Sequence, residues 1–193
     1  MELLFDTETA GLPRMQNRKF PPPDDLASYE SARLVSIAWL LTDPVTKEVV
    51  QQEYYIVKPS DFVISPESTA IHGISHDFAD QTGHDVQFVF DRFITALKRA
   101  SKLVAYNIEF DYNIMKSEFI RHNLSTDSIE IPKQCAMLQA QKHMKLQYFP
   151  KLADTYRYLF HERIRDAHNA MGDTLSLYKC YKEMCHREQQ QNF

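Results

Sequence analysis

The sequence is poor in glycine and cysteine, has no long apolar run, and carries little surplus charge of either sign. Only four glycines occur in 193 residues. Gly11, Gly73, Gly83 and Gly172 stand too far apart for a GxGxxG fingerprint or a GxxxxGK(S/T) loop, which excludes both usual glycine-rich phosphate cradles. The three cysteines, Cys135, Cys180 and Cys185, are odd in number and have no CxxC spacing. That fits reduced thiols in an intracellular protein, with the cytoplasm as the expected compartment. No stretch approaches the roughly 18 apolar residues that a membrane-spanning helix requires. The N-terminus turns acidic within six residues, at Glu2 and Asp6, and lacks the basic start of a secretory signal. No membrane partner is expected. Lys and Arg total 22 against 26 Asp and Glu, a formal net charge of -4. A large uniform positive field for nucleic acid is therefore excluded, while a local basic track or a metal-filled acidic site is not.

What is present suits one domain. At 193 residues and 44% hydrophobic content, folding should bury about 70% of the surface of the unfolded chain. Leu3-Leu4-Phe5 reads as a short strand running into Asp6-Thr7-Glu8-Thr9-Ala10-Gly11-Leu12-Pro13. Residues 14–33 have no clear period and contain Pro21-Pro22-Pro23, which marks an insertion or flap. The apolar run Leu34–Leu41 suits a buried strand, and Glu53–Val57 supplies a third, so an antiparallel meander is expected. Val86, Val89, Phe90, Phe93, Ile94 and Leu97 fall on one helical stripe. Leu103–Tyr106 then reads as a fourth strand, followed by a helix carrying Phe110, Ile114, Met115 and Phe119. A further helical region holds Leu152, Tyr156 and Leu159, and a last helix spans about 170–188. The expected fold is α/β, three antiparallel strands and then parallel strands in one mixed sheet flanked by helices. One domain covers 1–188, and 189–193 form a frayed tail.

The chemistry lies in the acidic residues. Asp6 and Glu8 are two apart at the end of a strand, so their side chains point the same way. Two such carboxylates either belong to a solvated turn or share a hard cation such as Mg²⁺ or Mn²⁺. Asp111 stands where a strand gives way to a helix, a place that helix-dipole stabilisation also favours, and Glu109 competes with it from another side of the helix. His168-Asn169-Ala170-Met171-Gly172-Asp173 sets an imidazole before a helix and a carboxylate in its opening turns. Histidine is the side chain suited to taking a proton near neutral pH.

In this order the motifs resemble those of the DEDDh, or DnaQ-like, 3′→5′ exonucleases, which have an RNase H-like fold. Phe5–Leu12 is similar to the first motif of that family, Asn107–Asp111 to its second and His168–Asp173 to its third. Ile71-His72-Gly73-Ile74 resembles its His-Gly-Ile segment. The likeness runs from Leu3 to about Tyr181. Two departures stand out: the length of residues 14–33, and Gln134-Cys135-Ala136-Met137 where the family often has a Thr- or Asp-containing segment.

The resemblance implies two divalent ions, Mg²⁺ or Mn²⁺. Asp6, Glu8 and Asp173 would hold one, with Asp6 bridging to a second that Asp111 supports. It implies a catalytic set of Asp6, Glu8, Asp111, His168 and Asp173, with His168 as general base and nucleoside 5′-monophosphates as products. Thr7, Thr9, Leu12, His72, Asn107 and Phe110 would contact substrate. The other reading of His72 is a helix-end residue holding the backbone, and Tyr106 reads as core. Lys142, Lys145, Lys151, Arg157, Arg163 and Arg165 either track a phosphate backbone or form a solvated face. The expected partner is a single-stranded 3′ end of DNA or RNA, with a polymerase as a further possible protein partner. The competing class is a catalytically silent nucleic-acid-binding or polymerase-docking module of the same fold.

Overall fold

A computed structural model describes residues 1–164 and 169–191. Its centre is a five-stranded mixed sheet in the order β3-β2-β1-β4-β5. β1 (Glu2–Thr9), β2 (Leu34–Thr42) and β3 (Val49–Ile56) form the antiparallel meander, and β4 (Lys102–Ala105) and β5 (Lys133–Cys135) continue it in parallel on the other side of β1. This is the fold class read from the sequence.

β2 is buried at every position, because both faces of this strand are covered. Its run of apolar side chains is therefore continuous rather than alternating. β1 shows how the two faces divide. Leu3 and Phe5 join Trp39, Leu103 and the apolar stripe of α3 (Val86–Leu97) and α4 (Ile108–Arg121). Leu4 joins Leu40 and Val104 against α5 (Ala136–Met144), α6 (Leu152–Phe160) and α7 (Ala170–Gln191). On the first face Phe93 packs its ring against Phe5 at 5.6 Å and Trp39 at 5.3 Å between centroids. Asp85 caps α3 by accepting from the amides of Gln87 and Phe88.

Several boundaries differ from the sequence reading. β3 begins four residues before Glu53, because Val49 and Val50 are exposed on an edge and the following glutamines break the apolar pattern. α7 continues to Gln191, so residues 189–191 are helical rather than part of a frayed tail. β5 had no strand signature: it is three residues long and pairs only with β4. α1 (Pro66–His72) and α2 (His76–Thr82) begin at the capping serines Ser65 and Ser75. Among the described residues, no helix is long and apolar enough to cross a membrane.

Residues 14–33 fold back on α4. The Tyr29 hydroxyl donates to the Pro21 carbonyl at 2.8 Å, and Asp25 caps a short 3-10 turn at Leu26–Tyr29. Phe20 packs its ring against Phe110, 5.9 Å between centroids. These are contacts of side chains with backbone and with a distant helix, so the segment needs no periodicity of its own.

Candidate active site

The even positions of β1 carry the chain's acidic pair. Leu4, Asp6 and Glu8 face the same side, so the carboxylates emerge where the apolar packing of Leu4 ends. Their neighbours across the sheet are small: Asp6 lies opposite Ala38 and Glu8 opposite Ser36. The start of α7 docks into that space, with the Thr174 hydroxyl donating to the Ala38 carbonyl at 3.4 Å. Asn169 fixes this helix end by accepting from the amides of Met171 (3.0 Å) and Gly172 (3.3 Å). Its Asx chemistry was a signal available in the sequence. Asp173, one residue before Thr174, is thereby brought to β1. One carboxylate oxygen from each of Asp6, Glu8 and Asp173 lies within 4.8 Å of the others.

Asp111 comes from the opposite face. It sits in the first turn of α4, 3% exposed, and accepts from the Thr7 amide at 3.0 Å and the Thr7 hydroxyl at 2.8 Å. Thr7 points to the α4 side of β1, which is why its neighbours Asp6 and Glu8 remain available to α7. The structure thus gives Thr7 the work of holding Asp111.

Burial and mutual repulsion push these acids up. Asp6 is raised well above the usual carboxylate range, by burial first and then by the charges of Asp111, Glu8 and Asp173. Glu8 rises to about 8, through burial and then Asp173 and Asp111. Asp111 rises to about 7 because burial outweighs the two hydrogen bonds from Thr7. No Lys or Arg forms an ion pair with Asp6, Glu8 or Asp111 among the described residues. Three carboxylate oxygens converging, with no Lys or Arg paired to Asp6 or Glu8 among the described residues, match the donor set of a hard divalent cation.

The remaining expected site residues divide into braces and exposed groups. Thr9 is almost buried and its hydroxyl donates to the Gly11 carbonyl at 2.7 Å, closing the turn after β1. A Cβ at Gly11 would stand 2.8 Å from the Ser31 carbonyl oxygen, so the close approach of residues 14–33 requires glycine here. His72 is 5% exposed at the end of α1, and its Nδ1 accepts from the Ile74 amide at 3.1 Å. Burial holds its pKa below the ordinary value against the opposing pull of the Thr9 backbone. Among the described residues its buried Nε2 has no hydrogen-bond partner of good geometry. Gly73 follows with φ 77°, the left-handed conformation that ends α1. Ser68, on the same helix, was not singled out by motif, yet its hydroxyl donates to the Ala10 carbonyl at 2.5 Å and ties α1 to the turn. Leu12 is 74% exposed beside this turn. Asn107 precedes α4 and its carbonyl accepts from the Phe110 amide at 2.9 Å. Phe110 is half-buried under Phe20. His168 lies outside the described residues, as do Arg165 and Asp166.

A mixed sheet ordered 3-2-1-4-5, with acidic residues at the end of its central strand and on the helices either side, defines an RNase H-like fold built for DnaQ-like exonucleases. The family model described as "Exonuclease" matches residues 3–181, and the chain belongs to that family. It is 23% identical over 190 residues to DNA polymerase III subunit epsilon of Escherichia coli (strain K12), across 95% of this chain and 70% of that protein. Among solved structures, E. coli exonuclease I in complex with a dT13 oligonucleotide aligns with a TM-score of 0.75 at 18% identity, covering 98% of this chain and 42% of that one. Exonuclease X in complex with 5′ overhanging duplex DNA aligns with a TM-score of 0.64 at 19% identity, covering 98% and 93%. The chain spans about two-fifths of the exonuclease I chain.

Proposed function

We propose that the protein is a metal-dependent 3′→5′ exonuclease, hydrolysing phosphodiester bonds at the 3′ end of a nucleic acid and releasing nucleoside 5′-monophosphates. The observation that carries this is the convergence of Asp6, Glu8 and Asp173, with no cationic side chain paired to Asp6 or Glu8 among the described residues. Membership of the exonuclease family supports it, as do the oligonucleotide and DNA complexes of the structural relatives.

Asp6, Glu8 and Asp173 would hold one Mg²⁺ or Mn²⁺, and Asp6 with Asp111 a second. When bound, the cations supply Lewis-acid stabilisation to the attacking and leaving oxygens of an in-line displacement at phosphorus. The chain's residues do the rest. Thr7 orients Asp111 through its amide and hydroxyl. The turn at Thr9–Leu12, held by Ser68 and backed by His72, offers the surface on which the terminal nucleotide rests. His168, from its place in the third motif, takes the proton of the attacking water, and the product leaves with its 5′-phosphate. A polymerase is a candidate protein partner, by analogy with the epsilon subunit.

The test uses 5′-labelled single-stranded DNA and RNA with Mn²⁺ or a chelator. Stepwise shortening from the 3′ end, only with metal, is expected. Retention of the strands without cleavage would favour the silent binding module, and cleavage at internal positions would overturn the exonuclease reading.

A further inference from the structure

The connection between α5 and α6 presents two large rings to solvent. Tyr148 is 65% exposed and Phe149 60%, the two most exposed aromatic side chains among the described residues. Neighbouring rings this exposed pack little against the chain itself. Their backbone is nevertheless held. Pro150 beside them is buried, and its carbonyl accepts from the Tyr106 hydroxyl at 2.8 Å. The same hydroxyl lies 2.7 Å from Thr155 Oγ1 on α6. Lys145 ends α5 in the left-handed conformation, φ 53°, and Lys151 caps the start of α6 in an extended one. Both are exposed, and neither forms an ion pair among the described residues; exposed Lys142 likewise has none.

The anchor ties this loop to the carboxylates. β4 pairs with β1 in parallel at Leu4–Val104. Two residues beyond that pair stand Asp6 on β1 and Tyr106 after β4, on the same face of the sheet. Tyr106 packs into the cluster of Leu4 and Val104, beneath the loop it holds. The loop that carries Tyr148 and Phe149 is therefore anchored, through Tyr106, to the sheet face from which Asp6 and Glu8 project.

We propose that Tyr148 and Phe149, flanked by Lys145 and Lys151, form a stacking platform for unpaired bases of a single-stranded substrate, upstream of the nucleotide held at the carboxylates. The proposal rests on the exonuclease reading and adds a strandedness to it. Only unpaired bases offer their faces to side chains, every base has such a face, and the flanking phosphates meet the lysines. In a chain of net charge -4, this is a local cationic track rather than a general field.

The experiment is fluorescence anisotropy with labelled 16-mers of thymidylate and uridylate, with Ca²⁺ in place of Mn²⁺ so that binding is read without turnover. Tyr148→Ala/Phe149→Ala should bind about tenfold or more weakly, and Tyr148→Trp/Phe149→Trp should restore binding. Lys145→Ala/Lys151→Ala should flatten the dependence of log Kd on log salt by about 1.4. A blunt-ended duplex should show no effect of the aromatic substitutions. Equal affinity of the double alanine variant and the wild type for both 16-mers overturns the platform, and so does an equal loss on duplex. A strand that binds normally but is never shortened in Mn²⁺ faults the exonuclease reading instead, so the two failures are separate.

Discussion

The two ends of β1 treat buried acid in opposite ways. At one end Glu2, 3% exposed, is bound by Lys47 at 2.6 Å and Lys102 at 3.0 Å, and accepts from the Tyr181 hydroxyl at 3.0 Å. Burial pushes Glu2 up, but the two lysines outweigh it and its pKa lies below the ordinary value. At the other end, on the same face, Asp6 and Glu8 face Asp173 with Asp111 nearby, and both are raised. Glu118 on α4 repeats the first pattern, with Arg33 at 2.8 Å, His122 at 3.6 Å and the Leu34 amide around it. The lesson is that this fold supplies counter-charges where acids serve only the structure. Among the described residues it pairs none with Asp6, Glu8 or Asp111, where the proposed cations would bind.

The largest effect that breaks this comparison is on turnover. Asp6→Asn or Asp173→Asn should abolish nucleotide release in Mn²⁺, whereas Lys102→Met at the far end should leave release near the wild-type rate. His168→Ala should cut kcat by about 10²–10⁴-fold while Mn²⁺ still raises the melting temperature. Unchanged kcat would remove His168 from the proton-transfer role.

Next come the structural acids. Glu118→Ala removes the Nε partner of a buried guanidinium, Arg33 being 2% exposed and still paired with Asp61 at 2.9 Å, and should cost about 1–3 kcal/mol in denaturant unfolding. Glu8→Gln in metal-free protein should do the reverse and raise stability above pH 7, because it removes an acid whose charge is penalised by burial. A smaller but diagnostic effect is pH dependence. Glu8 has a folded pKa of about 8 against 4.5 in an unfolded chain. The folded state therefore binds the extra proton, and stability present at low pH is lost as pH rises towards and through 8. His72, held below 6.5, opposes this only at lower pH, where its unfolded form protonates. Between pH 6.5 and 9 the metal-free melting temperature should fall by about 5 °C or more. Saturating Mn²⁺ should remove that slope.

Much of this was legible in the chain. The Asp6–Glu8 pair could be read because a two-residue spacing on a strand places both on one face. The stripe of Val89, Phe90, Phe93 and Leu97 gave α3 its buried side for the same kind of reason. What could not be read depended on distant partners. Nothing local to Thr7 indicates that it holds Asp111, 104 residues away. Lys47 and Lys102 look like ordinary surface lysines until the sheet brings both to Glu2. Lys133-Gln134-Cys135 has no alternation and becomes a strand only because β4 offers an open edge. α1 is a different case, since Ser65-Pro66 before it and Gly73 after it are start and stop signals present in the sequence.

The central claim is that Asp6 and Glu8, which have no Lys or Arg partner among the described residues, have their charge balanced by a divalent cation. The direct measurement is the melting temperature of wild-type protein and Asp6→Asn at pH 8, each with chelator and with saturating Mn²⁺. The account predicts a clear rise on adding Mn²⁺ to the wild type and none for Asp6→Asn, with the metal-free variant more stable than metal-free wild type. An equal Mn²⁺ response in both proteins, or none in the wild type, would contradict it.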